Sequence, residues 1–342
     1  MKRVFVLVRY LTLSIGVSCT TPYDINQIAA PTVIATSSEP VFNLNIDASN
    51  VYWTTHEDGA GRGAIMKAPI NGGPSTPLAT GQSEALAVGA THVFWTKSGG
   101  GTSGGGAVVK VPITGGAPGV LASGLRTPWR ITVDATHVYW TEAETAGAVM
   151  KVPIEGGTPI KLATARRPFG VAVDDSSVYW STDGYGDPAG GSIVKVALDG
   201  GEPVILVTGL SNPQSLAVDA THVYWTTEGT NNFEGGNIMR VPIGGGMPTT
   251  LATSQYGPQN VVLDAQQAYW TTIKKNVAND QEDASLRTAS VRTVPVGGGD
   301  PFAILFTVPD GHFGLVAVDA AYIYWEYYVT GDQNYSIVRF AK

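Results

Sequence analysis

Residues 213–254 read PQSLAVDATHVYWTTEGTNNFEGGNIMRVPIGGGMPTTLATS, and this stretch settles the fold. Ser215 to Asp219 form a short apolar run, Ala220-Thr221-His222 turn the chain, and Val223 to Thr227 make a second run of β-branched and aromatic residues. A polar, Gly-rich loop follows. Asn237 to Pro242 then form a third run, Gly244-Gly245-Gly246 a tight turn, and Pro248 to Ala252 a fourth. Neighbouring residues of a strand point to opposite faces, so Tyr224 and Trp225 put a large ring on each side of the sheet. A sheet that is apolar on both faces must be covered on both.

Working outward, the aromatic pair recurs seven times: Tyr52-Trp53, Phe94-Trp95, Tyr139-Trp140, Tyr179-Trp180, Tyr224-Trp225, Tyr269-Trp270 and Tyr324-Trp325. The tryptophans are 42, 45, 40, 45, 45 and 55 residues apart, the period of a four-stranded propeller blade. Radial stacking supplies the missing cover, because each blade packs its rings against the next. First strands are predicted around Leu44, Leu86, Thr132, Ala172, Ala217, Val262 and Ala317. The seventh copy reaches only a third strand, at Arg339-Phe340-Ala341-Lys342. Its fourth is expected from the other end of the chain, where Pro31-Thr32-Val33-Ile34-Ala35-Thr36 repeats the pattern of Pro77-Leu78-Ala79-Thr80 and Leu251-Ala252-Thr253. The reading is an all-β, seven-bladed β-propeller over residues 31–342, closed by pairing of residues 31–37 with residues 336–341, which removes the open sheet edges.

Stretches such as Pro213-Gln214-Ser215-Leu216-Ala217-Val218-Asp219 with Tyr224-Trp225-Thr226 resemble the YWTD propellers of the low-density-lipoprotein-receptor type. The resemblance covers nearly all of residues 31–342 and implies architecture rather than activity. Two departures stand out: the Asp after Tyr-Trp-Thr is replaced by Thr55, Lys97, Glu142 and others, and that family has six blades. The chain also resembles exported bacterial repeat propellers with no assigned activity.

Composition narrows the function. Forty-two glycines suit many tight turns, and 14% charged residues leave stability to packing. A net charge of −7 argues against a general nucleic-acid binder, which needs many cations to neutralise phosphates. Lys2 and Arg3 precede an apolar stretch, Val4 to Val17, that only Arg9 interrupts, the form of an export signal over residues 1–18. The single cysteine, Cys19, stands where that stretch ends. Ile15-Gly16-Val17-Ser18-Cys19 resembles the bacterial lipoprotein signal, with Gly16 where that motif prefers Leu, which implies lipidation of Cys19 and a tether over residues 19–30. Cleavage after Ser18 without a lipid also fits Gly16-Val17-Ser18. The predicted location is the bacterial cell envelope, anchored in the outer membrane or periplasm, or otherwise secreted.

Several repeated slots invite a chemical reading and receive a structural one. Asp47, Asp134, Asp174, Asp219, Asp264 and Asp319 share one position, with Gly89 in the remaining copy. Each opens a tight turn whose backbone amides its carboxylate can accept from, so turn capping is expected rather than a metal ring. His92, His137 and His222 repeat in the same turn and read as structural. Lys67, Lys110, Lys151, Lys195, Arg240 and Arg339 recur near the end of the third strand, with Thr293 as the exception, and are expected to lay their stems along the blade with the charge in solvent. Residues 97–106, KSGGGTSGGG, match the nucleophile-elbow and dinucleotide strings, but neither match has the helix that its mechanism needs.

Antiparallel order puts the nearly identical turns on one face and the loops that differ between copies on the other, where binding on a rigid scaffold normally resides. The residues entering the first strands, Phe42, Glu84, Trp129, Phe169, Gln214, Gln259 and Phe313, are expected to ring the channel mouth on that variable face. Arg126, Arg130, Arg166 and Arg167 add four cations in two neighbouring copies, beside Trp129 and Phe169. Guanidinium groups suit carboxylates or phosphates, and exposed rings suit sugars or peptide side chains. The predicted ligand site is Arg126, Trp129, Arg130, Arg166, Arg167, Phe169, Gln214, Gln259, His312 and Phe313, for a protein, peptide or anionic glycan, with no cofactor, no metal and a monomeric chain. Two enzymatic readings compete: a hydrolase or lyase at the channel mouth, and a quinone-dependent sugar dehydrogenase. The histidines outside the repeat, His312 near Asp310 and His56 near Glu57 and Asp58, lack a recognisable partner set.

Overall fold

A computed structural model describes residues 31–342 apart from 56–62, 100–103, 184–189, 230–233, 279–280, 300–301, 310 and 330–333. Side chains are described outside 274–288, 302–309, 311–313 and 329 as well. Seven four-stranded antiparallel sheets form the blades of one ring. Six are continuous in sequence, over residues 41–80, 85–125, 128–165, 168–210, 213–255 and 259–309. The seventh joins three strands from residues 311–341 to Thr32–Ser37, which pairs with Tyr335–Ala341 in the register Thr32↔Arg339 to Ser37↔Tyr335. The predicted closure is the observed one.

The core is not central but lies in the seven seams. Tyr and Trp of each pair project from opposite faces, and every buried cluster joins the Tyr (or Phe94) of one blade to the Trp of the next: Tyr52 with Trp95, Phe94 with Trp140, and onward to Tyr324 with Trp53. The phenol of each Tyr then reaches the repeated Asp of its own blade, at 2.5 to 2.8 Å in six blades. The other carboxylate oxygen accepts from the backbone N–H groups two and three residues on, as Asp134 does from Thr136 and His137. Burial opposes ionisation of Asp134, Asp174, Asp219, Asp264 and Asp319, yet these hydrogen bonds outweigh it and hold the carboxyls below their usual range. Burial and the same bond push the phenols up, Tyr179 and Tyr224 to about 12. The second blade has Gly89 and Phe94 in these slots, losing both partners together.

The repeated cations do not end in solvent, which corrects the expectation for them. Lys67, Lys110, Lys151 and Lys195 each donate to a backbone carbonyl of the following blade, Ile113, Ile154, Leu198 and Ile243, at 2.6 to 2.7 Å. Arg240 bonds Val296 in the same way, and Arg339 reaches Ile70 of the first blade across the closure. A lysine head finds a carbonyl there because the next blade's turn after its third strand overhangs the stem. Thr293 cannot span that gap. At that seam Lys342 runs in the reverse direction, from the seventh blade to Asp264 of the sixth at 2.5 Å, with its ammonium 4.8 Å from the Tyr269 ring centroid.

A second polar belt follows the Tyr-Trp pairs. The next residue is Thr54, Thr96, Thr141, Ser181, Thr226, Thr271 or Glu326. Thr96, Thr141, Ser181 and Thr271 donate to first-strand carbonyls of the following blade, those of Trp129, Phe169, Gln214 and Gly314. Glu326 breaks the pattern: it is 2% exposed and accepts from the Gly314 N–H, and its Oε2 has no partner among the described residues. Gly314 makes room for it, since a Cβ there would lie 1.9 Å from Glu326 Oε1. Burial pushes the Glu326 carboxyl up to about 8.

Two outcomes follow from these seams. Removing residues 32–37 takes away the buried Ile34 and Ala35 and exposes the edge of Tyr335–Ala341. Chemical denaturation should show a loss of about 3 kcal/mol or more, and an unchanged midpoint would contradict the closure. The Glu326 acid binds its proton more tightly folded than unfolded, so the folded protein loses stability as pH rises from about 4.5 towards about 8. Against Glu326→Gln, which has no such proton, the parent should therefore weaken progressively across that window in urea titrations and run parallel to it above; equal profiles throughout would refute the assignment.

Candidate functional site

The first strands of all seven blades line a central channel of about 530 Å³. In six blades the ladder between the first and second strands slips by a bulge just inside the entrance, as between Pro128 and Ile131 opposite Glu142 and Trp140. A bulge re-aims the side chains that it contains. In blades three, four, five and seven it therefore detaches two residues from the sheet pattern at the mouth, and in blades one and six it falls one residue further in.

Counted from the paired Trp, these residues fall into levels. Leu44, Leu86, Ile131, Val171, Leu216, Val261 and Val316 form an aliphatic level packed into the seams. One residue outward stand Asn43, Ala85, Arg130, Gly170, Ser215, Asn260 and Leu315, a level with a single charge. The next holds Phe42, Glu84, Trp129, Phe169, Gln214, Gln259 and Gly314. The seventh member differs from the expected Phe313. Phe313 pairs with Tyr327 and so occupies the slot of Pro128, one residue short of the mouth level. Its side chain and that of His312 lie outside the described residues, as do Cys19 and the whole of residues 1–30.

The four arginines do not form one cluster. Arg126 is exposed and lies 3.5 Å from Glu144, while Arg167 pairs with Asp183 at 2.9 Å. Arg167 adopts a left-handed backbone, φ 46°, and its N–H donates to the Glu144 carbonyl. Arg166 is exposed. Arg130 alone lines the channel. Its guanidinium carbon sits 5.8 Å from the Trp129 ring centroid and 5.4 Å from that of Phe169, and the two rings are 6.0 Å apart at a 51° tilt. This places a cation over two π faces, worth about 0.5–2 kcal/mol as desolvation grows. Burial pushes the Arg130 pKa down and the charge of Glu84 partly offsets it. The guanidinium donates no hydrogen bond to any described residue; only the backbone N–H of Arg130 does, to Thr141.

The remaining mouth residues divide into occupied and available. Asn43 donates to Thr54 of its own blade and to the Glu84 carbonyl of the next, Asn45 to the Leu86 carbonyl, and Asn260 to the Val316 carbonyl, so all three bond across a blade boundary. Gln214 and Gln259 line the channel with side chains that bond no described residue. Glu228, on the loop beyond the second strand of blade five, accepts from Asn212 at 2.7 Å and completes the charged groups of the lining. Of the predicted set, Trp129, Arg130 and Phe169 touch one another, Arg130, Gln214 and Gln259 line the channel, and Arg126, Arg166 and Arg167 stand outside that lining. Sequence reasoning missed Glu326, although its signal was visible: six hydroxyl residues and one acid after the aromatic pair. Among the described residues no three His, Cys, Asp or Glu side chains gather as metal ligands.

No family model matches the sequence, and no curated protein sequence does. Solved structures do match in shape. A puromycin-hydrolysing peptidase of Mycobacterium tuberculosis aligns with a TM-score of 0.62 at 13% identity, over 89% of this chain and 51% of the peptidase, so the chain spans about half that enzyme's length. The WD40 β-propeller domain of Doa1 aligns with a TM-score of 0.61 at 12% identity, over 90% and 96% of the two chains. A computationally designed protein, Ika8, gives 0.58 at 10% identity over 91% and 98%. At such identities the likeness is one of fold, and it agrees with the geometry: this chain is a seven-bladed β-propeller repeat protein.

Proposed function

We propose that the chain is an exported, lipid-anchored binding module that holds a protein, peptide or anionic glycan on its variable loop face at the channel mouth. One observation carries the reading: the Arg130 guanidinium, braced over Trp129 and Phe169, has every donor free at the rim of an open channel. Holding a cation in partial desolvation without a hydrogen-bonded counter-charge costs stability, and an anionic ligand would offset that cost. The opposite face supports the same reading, because its turns repeat the Asp-Tyr bond nearly unchanged and are spent on structure. Lys2, Arg3, the apolar stretch to Val17 and Cys19 support export and anchoring.

Purified protein incubated with cell-envelope fragments, peptides or anionic glycans should melt at higher temperature with one of them, since ligand at 100 times Kd adds about 2.7 kcal/mol. Arg130→Ala should abolish the rise while Arg126→Ala, which removes only an exposed ion pair, preserves it; equal responses would defeat the proposed site. In cells, Cys19→Ser should shift the protein from the membrane to the soluble fraction and remove incorporation of labelled fatty acid, and continued membrane retention with label would exclude Cys19 as the anchor.

A further inference from the structure

Resting on the binding reading above, we propose that the mouth group is built for a peptide carboxylate, seated on Arg130 with the adjoining peptide units running across Gln214 and Gln259. The charge balance selects a single negative charge. Among the described residues Arg130 is the one cation of the lining, while Glu84 acts on it electrostatically and Glu228 lines the same channel. The first charge of any anion finds Arg130, but the second charge of a phosphate dianion would find only Glu84 and Glu228, so a monoanionic carboxylate fits better. Geometry points the same way. The guanidinium carbon lies over the Trp129 and Phe169 rings and its N–H groups bond no described residue, which leaves the fork that binds a carboxylate through two parallel hydrogen bonds.

The order of residues around the rim supplies the peptide. Arg130 and Trp129 belong to blade three, Phe169 to blade four, Gln214 to blade five and Gln259 to blade six, so anion site, ring and two amides follow one another along an arc. A primary amide both donates and accepts, the pattern of a peptide unit. The asparagines of the lining are already spent between blades, whereas these two glutamine side chains bond no described residue. A glycan would use an aromatic face, and at this mouth Arg130 covers one face of both rings.

The test titrates the purified full chain with unstructured peptides offered as free acid and as C-terminal amide, with and without internal Asp or Glu, alongside inorganic phosphate and oligogalacturonate. Peptides with a carboxylate should bind at least about tenfold more tightly than the same peptides without one. A preference that follows the C-terminal acid identifies a chain end; one that follows internal Asp or Glu identifies a side chain. Arg130→Gln should erase the preference, Arg130→Lys, which keeps the charge but not the fork, should weaken binding about tenfold, and the pair Gln214→Ala and Gln259→Ala should weaken peptides while leaving acetate unaffected. Circular dichroism melts of each variant establish that it is folded. Stabilisation by phosphate or oligogalacturonate that depends on Arg130, without any by peptides, would overturn the peptide assignment and leave the binding reading standing. If no probe gives an Arg130-dependent response, both fall.

Discussion

Everything in this molecule depends on one contact repeated seven times, the Tyr ring of one blade, Phe94 in the second, packed in the same seam as the indole of the next. A blade has apolar rings on both faces and therefore has no stable existence by itself; burying a side chain of that size contributes about 2–3 kcal/mol, and each seam buries several. Because Tyr and Trp are adjacent in sequence, the alternation of the strand sends them to opposite seams without further instruction. The ring is thus a consequence of a dipeptide. Only a closed circle satisfies all copies, which is why the last blade borrows Thr32–Ser37 from the other end of the chain.

Hydrogen bonds sort these seams by direction. Each phenol is held by the Asp of its own turn, and each cation of the third strand reaches one blade onward, so that packing and polar bonds join the same neighbours. Departures come in matched pairs. Gly89 accompanies Phe94, and a Cβ at Gly89 would already lie 3.1 Å from the Phe94 ring. Thr293, too short for a staple, faces a seam that Lys342 bridges from the other side. Gly314 gives up its side chain at the place where Glu326 needs volume. An isolated change at Gly89 or Gly314 would bring a clash with its partner, and loss of the Lys342 ammonium would leave Asp264 without that bond.

The architecture was legible because periodicity is a property of the sequence itself: the aromatic pairs, the turn residues and the displaced fourth strand can be counted without coordinates. The site was legible only in part. Arg126, Arg130, Arg166 and Arg167 look alike as residues near the same strands, and nothing in their own neighbourhoods shows that Glu144 and Asp183, from the loops after the second strands, neutralise two of them. Phe313 resembles a mouth residue in sequence because its blade lacks the proline that marks the slot in others, at Pro128, Pro168, Pro213 and Pro258. The cations were misjudged for the same reason: a lysine stem is visible in sequence, but the carbonyl at its tip belongs to residues more than forty positions away.

The division of labour within each first strand explains why a repeat this regular can carry a site this irregular. Inside the bulge the aliphatic level must pack into a seam and varies only among Leu, Ile and Val. The two levels outward of it, which form the bulge in blades three, four, five and seven, range over Phe, Glu, Trp, Gln, Asn, Arg, Ser, Ala, Leu and Gly. The second blade, whose first strand pairs without a slip, contributes Glu84 and Ala85 and no large side chain. Freedom at the mouth is therefore produced by the same register shift that lets the strand curve into the ring, and Arg130 could take its place over two aromatic neighbours without disturbing any seam. Mouth positions that the fold does constrain, such as Gly170 beside the Gln214 carbonyl and Asn43 and Asn260 bonded to the next blade, leave the variation to neighbours such as Arg130, Gln214 and Gln259.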